Sequence, residues 1–99
     1  MLTIHQDHSE GIDVYTLVGR LDTVTAPCLE KALAASIDSS TEVTLDFEKL
    51  EYISSSGLRV LLAAQKAISK YGKMKITHVN DPIQEIFGLT GFSDFLIID

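Results

Sequence analysis

Cysteine is nearly absent from the sequence. Cys28 is the only one, so no internal disulfide can form and no metal site can be built from thiolates alone. It lies in an apolar stretch with helical spacing, where we expect a buried or half-buried small side chain. A redox or catalytic thiol needs an activating neighbour, and the sequence around Cys28 offers none.

Basic residues are also scarce. Eight Lys plus Arg face fourteen Asp plus Glu, for a formal net charge of -6. This balance argues against binding DNA or RNA, because phosphate contacts need clustered Lys and Arg. It also disfavours docking on anionic lipid. A basic protein partner is compatible with it.

Targeting and membrane-spanning segments are missing as well. Residues 1–5 lack the basic and then apolar pattern of a signal peptide. No stretch approaches the roughly 20 apolar residues that span a bilayer. We therefore expect a cytoplasmic protein that does not enter the membrane.

Metal and acid–base sites have little support. His5, His8 and His78 are scattered without paired ligand spacing, so we predict no metal and no cofactor. Asp22 and Asp46 are candidates for a catalytic carboxylate pair. We expect instead that Asp22 caps or positions a loop and that Asp46 ends a strand.

Nucleophile and nucleotide motifs are not present either. A serine hydrolase needs a Gly-x-Ser-x-Gly elbow and a histidine within reach. Ser56 is followed directly by Gly57, and no glycine lies two residues before Ser54, Ser55 or Ser56. The chain has no Gly-x-x-x-x-Gly-Lys phosphate loop. We predict that the protein is not an enzyme, with a small serine hydrolase as the disfavoured alternative.

The composition is that of one compact domain over residues 1–99, since 45% of the residues are hydrophobic and 22% are charged. Periodicity and turn signals predict strand, strand, helix, strand, helix, strand, helix and a short last strand. The predicted segments are 2–5, 12–18, 26–37, 42–47, 58–68, 74–79, 82–87 and 95–98. The fold class is therefore α/β, a mixed sheet with an N-terminal hairpin and flanking helices.

Several boundaries are also predicted. Gly19-Arg20-Leu21-Asp22 should break the second strand, and residues 50–53 should form an apolar connection. Thr25 is a plausible N-cap of the first helix, which should end in the polar run 38–41. Asn80 or Asp81 should cap the third helix, with Pro82 in its first turn. Gly88 and Gly91 should end that helix.

Three hydroxyls followed by glycine, Ser54-Ser55-Ser56-Gly57, precede the predicted helix 58–68. One interpretation is that the run only caps this helix and that glycine lets the backbone turn. The other is a phosphoacceptor, since a helix N-terminus offers free N–H groups and the positive end of the dipole. A phosphate there would add about -1.5 to -2 of charge to one spot without unfolding the domain.

The chain resembles the STAS-domain family, specifically the stand-alone anti-sigma factor antagonists, along essentially its whole length. The resemblance depends on the order and spacing of several short segments. They are Gly19-Arg20-Leu21-Asp22, Val43-Thr44-Leu45-Asp46-Phe47 with Leu50, Ile53-Ser54-Ser55-Ser56-Gly57-Leu58, and Pro82 with Ile86-Phe87 and Leu89-Thr90-Gly91-Phe92.

This resemblance implies a binding protein that antagonises a kinase-type anti-sigma factor, releases a sigma factor and is switched off by serine phosphorylation. In the family the serine just before the glycine is the phosphoacceptor, which maps onto Ser56, with Ser55 as the runner-up. Asp22 matches the carboxylate of the family's Leu-Asp motif. Ser54 stands where aspartate is common, which removes a charge.

The implied partners are an anti-sigma factor serine kinase and a serine phosphatase. We expect the contact surface to contain Asp22, the segment Ser54–Gly57 and Arg59, which is a charged residue within an apolar run. Similar domains serve as subunits of transport or stress-signalling assemblies without depending on phosphorylation. That function is the alternative within the family.

Overall fold

The computed structural model describes residues 1–36, 42–70 and 72–91, together with the backbone of residues 97–98. Within them the chain forms five strands and three helices, in the predicted order. They are β1 (Leu2–Ser9), β2 (Ile12–Leu21), α1 (Ala26–Ala34), β3 (Glu42–Ile53), α2 (Ser55–Ile68), β4 (Lys73–Thr77), α3 (Asp81–Thr90) and β5 (Ile97–Ile98).

The strands form one mixed sheet in the order β1-β2-β3-β4-β5. β1 and β2 pair as an antiparallel hairpin, and each later strand is parallel to its neighbour. The hairpin turns at Glu10 and Gly11, whose φ angles of 50° and 82° are both positive, as a type I′ turn requires. The predicted fold class is confirmed.

One face of the sheet packs against the helices. In β3, Val43, Leu45 and Phe47 are buried, while the residues between them are partly exposed, which is the period of two expected of a strand. The Phe47 ring lies 6.3 Å from the Phe87 ring of α3. The core is completed by the fully buried helix side chains Leu29, Leu33, Leu61, Ile68 and Ile83.

The prediction that residues 19–22 break the second strand is wrong. β2 continues through Gly19 to Leu21, and the pairing with β3 shifts register between Gly19 and Arg20. Gly19 has a φ of +112°, and a Cβ there would lie 2.2 Å from the Met1 carbonyl oxygen. The glycine therefore allows an irregularity within the strand and a close approach of the chain start.

The predicted apolar connection after residue 47 is also part of a strand. β3 runs without a break to Ile53, and Leu50 and Ile53 are both buried. Their spacing of three residues does not match a regular strand, because the pairing with β2 is irregular here. Asp46 therefore lies within β3 instead of ending it, contrary to prediction.

Two helix boundaries differ from the prediction. α2 begins at Ser55 instead of near Gly57, so two of the three serines belong to its first turn. α3 continues through Gly88 to Thr90 and ends at Gly91, whose φ of 77° is left-handed. The predicted cap of α3 is confirmed, since the Asn80 side chain accepts a hydrogen bond of 3.1 Å from the Ile83 N–H.

The expectation for Cys28 is wrong, because this side chain is exposed. α1 turns Ala26, Leu29 and Leu33 inward, which places Cys28 on its outer surface. α1 ends at Ala34 with Ala35 as its C-cap, so the prediction that it continues to Ile37 is wrong. The polar run 38–41 lies outside the described residues. So does the first half of the predicted last strand, residues 95–96.

Candidate functional site

The candidate site lies where the parallel strands β2 and β3 end. Leu21 and Ile53 are register partners, and the Ser54 N–H donates to the Leu21 carbonyl oxygen at 2.8 Å. The next residues of each chain segment, Asp22 and Ser54, therefore leave the sheet side by side. Carboxyl ends of parallel strands are a common place for binding sites in α/β folds.

Ser54 is the N-cap of α2. Its backbone is extended, with φ -97° and ψ 173°, and its hydroxyl accepts a hydrogen bond of 3.3 Å from the Gly57 N–H. The Leu58 N–H donates to the Ser54 carbonyl oxygen at 3.0 Å. The capping interpretation thus applies to Ser54, and the other two serines are left for another role.

Ser55 and Ser56 occupy the first turn of α2 with different exposure. Ser55 is exposed, and Ser56 is partly buried. The Ser56 Oγ lies 3.3 Å from the Oγ1 of Thr23, in the segment that follows β2. Because Thr23 is exposed and Ser56 is partly exposed, this contact holds Ser56 near the surface, where solvent or a partner can reach it.

Gly57 fixes the position of this first turn. It is buried, and a Cβ there would lie 2.7 Å from Leu21 Cγ and 3.0 Å from Ile53 Cγ1. Only a residue without a side chain lets the helix pack this closely on both strand ends. The glycine therefore shapes the surface without being part of it.

Asp22 positions the loop between β2 and α1, as predicted. Its Oδ1 accepts hydrogen bonds of 3.0 Å from the N–H groups of Val24 and Thr25, and the Thr25 hydroxyl also donates to it at 3.1 Å. The hydrogen bond from the Thr25 backbone is the main cause that holds the pKa of Asp22 below its ordinary value of 3.8. Thr25 itself occupies the N-cap position of α1 but makes no side-chain cap.

A cavity of about 390 Å³ opens beside the site, between the starts of α1 and α2. Ser56 and Thr23 line one part of it, and Arg59 and Glu30 line another. Arg59 is exposed, and within the part of the chain that the structure describes it makes no hydrogen bond or ion pair. The site thus combines hydroxyl groups with one uncommitted cation.

Comparison with known proteins identifies the family. The STAS-domain family model matches residues 3–99. The chain belongs to the STAS-domain family. The anti-sigma F factor antagonist of Paenibacillus polymyxa is 29% identical over 93 residues, covering 91% of this chain and 80% of that protein.

Two solved structures share the STAS fold seen here. An anti-sigma factor antagonist from Mycobacterium paratuberculosis superposes with a TM-score of 0.90 at 26% identity, covering 99% of this chain and 85% of that one. The Bacillus cell fate determinant SpoIIAA in its phosphorylated form superposes with a TM-score of 0.76 at 17% identity, covering 98% of this chain and 91% of that one.

This STAS domain also contains a polar network in which Asp13, Tyr15 and Ser36 are buried and His8 is exposed. Asp13 is 2% exposed and Ser36 is 0% exposed. The Ser36 hydroxyl donates to one oxygen of Asp13, and the His8 Nδ1 bonds to the other. The Tyr15 hydroxyl bonds to Ser36 and donates to the Ala32 carbonyl oxygen at 3.1 Å. Burial raises the pKa of Tyr15 above 10.0, with the nearby Asp13 charge adding to it and the Ser36 hydrogen bond opposing it.

The order of groups in this network differs from that of a serine hydrolase. The carboxylate of Asp13 stands between His8 and Ser36, whereas a hydrolase places the histidine between serine and acid. The recorded partner of Ser56 is Thr23. Neither serine therefore has the imidazole that would make it a nucleophile. One feature of the local sequence could have indicated this network: Asp13 is an acidic residue at an inward-facing position of β2.

A second polar cluster could not be predicted from the local spacing of residues in the sequence. The His78 Nδ1 lies 3.2 Å from the Asp46 Oδ1. Asp46, Glu48 and His78 each offer one atom that could bind a metal, and these three atoms lie within 4.8 Å of one another. Asp46 pairs with Thr77 across β3 and β4, so the parallel register brings His78 close. His78 and Glu48 are exposed, and the geometry is that of a surface ion pair when His78 is protonated. Asp46 is the register partner of Thr16, whereas Asp22 follows Leu21 at the end of β2, so the two carboxylates lie apart along the strands and do not form a pair.

No helix within residues 1–36, 42–70 and 72–91 has the length and apolar content needed to cross a bilayer.

Proposed function

We propose that this STAS domain is an anti-sigma factor antagonist that binds a kinase-type anti-sigma factor and is released when Ser56 is phosphorylated. The observation that supports this most is the placement of Ser56 in the first turn of α2, partly exposed and free of the capping role that Ser54 fills. The relative from Paenibacillus polymyxa and the structure from Mycobacterium paratuberculosis are both named as such antagonists.

The helix start is suited to a phosphate. Ser56 lies two residues after the N-cap, where the helix dipole and N–H groups favour negative charge. Its hydroxyl is near the surface, so the added group need not displace the core. The phosphorylated form of SpoIIAA has this fold, which supports a switch that leaves the domain folded.

Ser56 is favoured over Ser55 as the acceptor for two reasons. The family position before the glycine is that of Ser56. Ser56 also has a fixed surrounding, with the Thr23 Oγ1 at 3.3 Å and the cavity beside it. Ser55 is exposed, and its side chain makes no hydrogen bond to any residue that the structure describes. A kinase that recognises a shaped surface therefore acts on Ser56.

The partner surface consists of the exposed groups around α2's first turn. We place Asp22, Ser55, Ser56 and Arg59 on it, since each is exposed or partly exposed. Ser54 and Gly57 contribute by holding the backbone. An interface of standard size would bury about 800 Å² on each side. The net charge of -6 suits a partner with a basic contact surface.

The proposed cycle needs two enzymes from outside the chain. The anti-sigma factor kinase adds the phosphate, and a serine phosphatase removes it. The domain therefore alternates between a form bound to the anti-sigma factor and a released form, and it does so in the cytoplasm. It does no chemistry of its own. The alternative, a binding subunit of a transport or stress-signalling assembly, predicts binding that is independent of the state of Ser56.

The test is to incubate the protein with its co-purifying kinase and ATP, map the phosphate by mass spectrometry and measure affinity by calorimetry before and after. Phosphorylation should weaken binding by about 2–5 kcal/mol, the range for disrupted charged interface contacts. Ser56→Ala should stay bound, and Ser56→Asp should reproduce part of the loss.

Ser55→Ala is the matched control, because it removes the neighbouring hydroxyl and should leave phosphorylation intact. Phosphate found only outside residues 54–56 would contradict the proposed switch, and so would unchanged affinity after modification of Ser56. Binding that is the same with and without phosphate would favour the assembly-subunit function.

A further inference from the structure

We propose that Arg59 forms an ion pair with the phosphoryl group on Ser56, so that the phosphorylated domain neutralises its own phosphate. This inference rests on the proposed function, in which Ser56 is the phosphoacceptor. It adds a second residue to the switch and states what that residue does in the released state.

The helical spacing places the two residues together. Arg59 follows Ser56 by three positions within α2, and side chains three apart are neighbours on a helix surface. Both line the same cavity of about 390 Å³. A phosphoryl group on Ser56 would extend into this space, within reach of the long arginine side chain.

Arg59 has no competing hydrogen-bond or ion-pair partner within the part of the chain that the structure describes, and it makes no ring contact there. Arg20, in contrast, is held with its guanidinium 4.4 Å from the centre of the Tyr52 ring. Glu30 lines the cavity from α1 and carries a single charge, whereas a phosphoserine carries about -1.5 to -2. The phosphate is therefore the stronger attractor for the guanidinium.

Two other groups at the site, Ser54 and Thr23, favour the same arrangement. Ser54 caps the helix with a neutral hydroxyl, so no carboxylate at the cap repels the phosphate. The Thr23 hydroxyl, 3.3 Å from Ser56 Oγ, is placed to donate to a phosphoryl oxygen. An arginine can donate two parallel hydrogen bonds to such oxygens, which a lysine cannot.

The ion pair has a consequence for the partner. In the unmodified protein, Arg59 is available at the rim of the proposed interface. After phosphorylation its guanidinium is turned to Ser56, so the partner loses this contact together with access to the serine hydroxyl. One covalent change thus alters two positions of the surface.

The experiment uses the full chain with phosphoserine installed at position 56 by genetic encoding, so it needs no kinase. The second pKa of the phosphoryl group, about 6 when unperturbed, is measured by phosphorus NMR titration. Arg59→Gln should raise this pKa by about 0.2–0.7 unit, because the dianion loses its cation. Arg59→Lys should restore part of the shift, and high salt should shrink the difference.

Lys66→Gln is the matched control, since Lys66 is an exposed cation on the same helix that does not line the cavity. It should leave the phosphoryl pKa unchanged. Backbone NMR spectra of each variant report whether the fold is intact. An Arg59→Gln variant whose phosphoryl pKa equals that of wild type would overturn the inference.

Binding measurements distinguish this failure from failure of the proposed function. If phosphoserine at 56 weakens partner binding while Arg59→Gln leaves its pKa unchanged, the switch stands and only the ion pair is refuted. If the phosphoserine protein binds its partner as the unmodified protein does, the proposed function fails whatever the pKa. With both correct, Arg59→Gln should reduce the effect of phosphorylation on the dissociation constant by about two- to fivefold.

Discussion

The two ends of α1 carry polar clusters of opposite character. At its N-terminal end, the Thr23 hydroxyl contacts Ser56 at the start of α2, and Asp22 accepts from the N–H groups of Val24 and Thr25. At its C-terminal end, Ser36 joins the buried network around Asp13. The first cluster can exchange its hydrogen bonds with water or a partner, and the second cannot.

This difference separates a structural role from a regulatory one. A buried carboxylate that loses a partner leaves polar atoms unsatisfied, so its cost appears as lost stability. An exposed hydroxyl that gains a phosphate changes a surface and leaves the core intact. Substitutions at the two ends should therefore affect different measurements.

The largest effect is expected at the buried end. Asp13→Ala should lower the free energy of unfolding by about 2–3 kcal/mol, because the hydroxyl of Ser36 loses a buried acceptor. Denaturant unfolding measures it. Asp7→Ala, which removes an exposed acid from β1, is the control and should change stability by less than about 0.5 kcal/mol. Equal effects of the two substitutions would mean that the network contributes no stability.

The packing under the exposed end is tested by glycine substitutions. Gly57→Ala should destabilise the fold by about 1–3 kcal/mol, since its Cβ would meet Leu21 at 2.7 Å. Gly88→Ala in α3 meets nothing within 4 Å, and it should stabilise the fold by about 0.5–1 kcal/mol through helix propensity. Thermal unfolding of both variants gives the comparison. A stabilising Gly57→Ala would show that α2 does not need its close approach to the strands.

A smaller effect is expected at the cap. Ser54→Ala should cost about 1 kcal/mol, because the Gly57 N–H loses its acceptor. Ser54→Asp should retain the cap and bring a charge next to Ser56. Unfolding experiments on these variants and on Ser55→Ala locate the cap, because the Ser55 hydroxyl makes no hydrogen bond to the described residues. The assignment of Ser54 would be wrong if Ser55→Ala proved the more costly substitution.

The smallest effect concerns acid. The pKa of Asp22 is lowered in the folded state, so its contribution to stability is present above the unfolded pKa of about 3.8. It is lost as the pH falls through the lower folded value. Asp22→Asn keeps an oxygen for Val24 and Thr25, and it should flatten this part of the stability–pH curve. If wild type and variant lose stability identically as the pH falls, Asp22 does not contribute to the acid dependence of stability.

The sequence predicts the fold more completely than it predicts the contacts between residues that are distant along the chain. Local patterns suffice for the strand and helix order, for the Asn80 cap and for a serine cap at the start of α2. They fail for Leu50 and Ile53, because irregular pairing with β2 sets their spacing. They also fail for Asp13, whose partner Ser36 lies 23 residues away and meets it only after α1 has packed.

The residues of the candidate site can likewise be divided into those that the local sequence predicts and those that only the structure shows. The motif before the helix predicts that one of its three serines caps α2, and only the family resemblance singles out Ser56. The neighbours Thr23 and Glu30 come from another segment and become visible only when α1 and α2 lie side by side. Cys28 shows the limit of composition, since an apolar stretch does not tell which face of the helix each residue occupies.

The helical first turn of α2 bears on how the kinase and phosphatase of the proposed function would recognise Ser56. Ser56 is presented by a turn whose shape depends on Leu21 and Ile53, which pack against Gly57 from two different strands. A short peptide containing Ser54–Leu58 lacks both the strands and the Thr23 hydroxyl. Under the proposed function, the substrate of the kinase and of the phosphatase would be this folded surface and not the linear motif. Another chain that forms the same surface would then be recognised even where its linear motif differs.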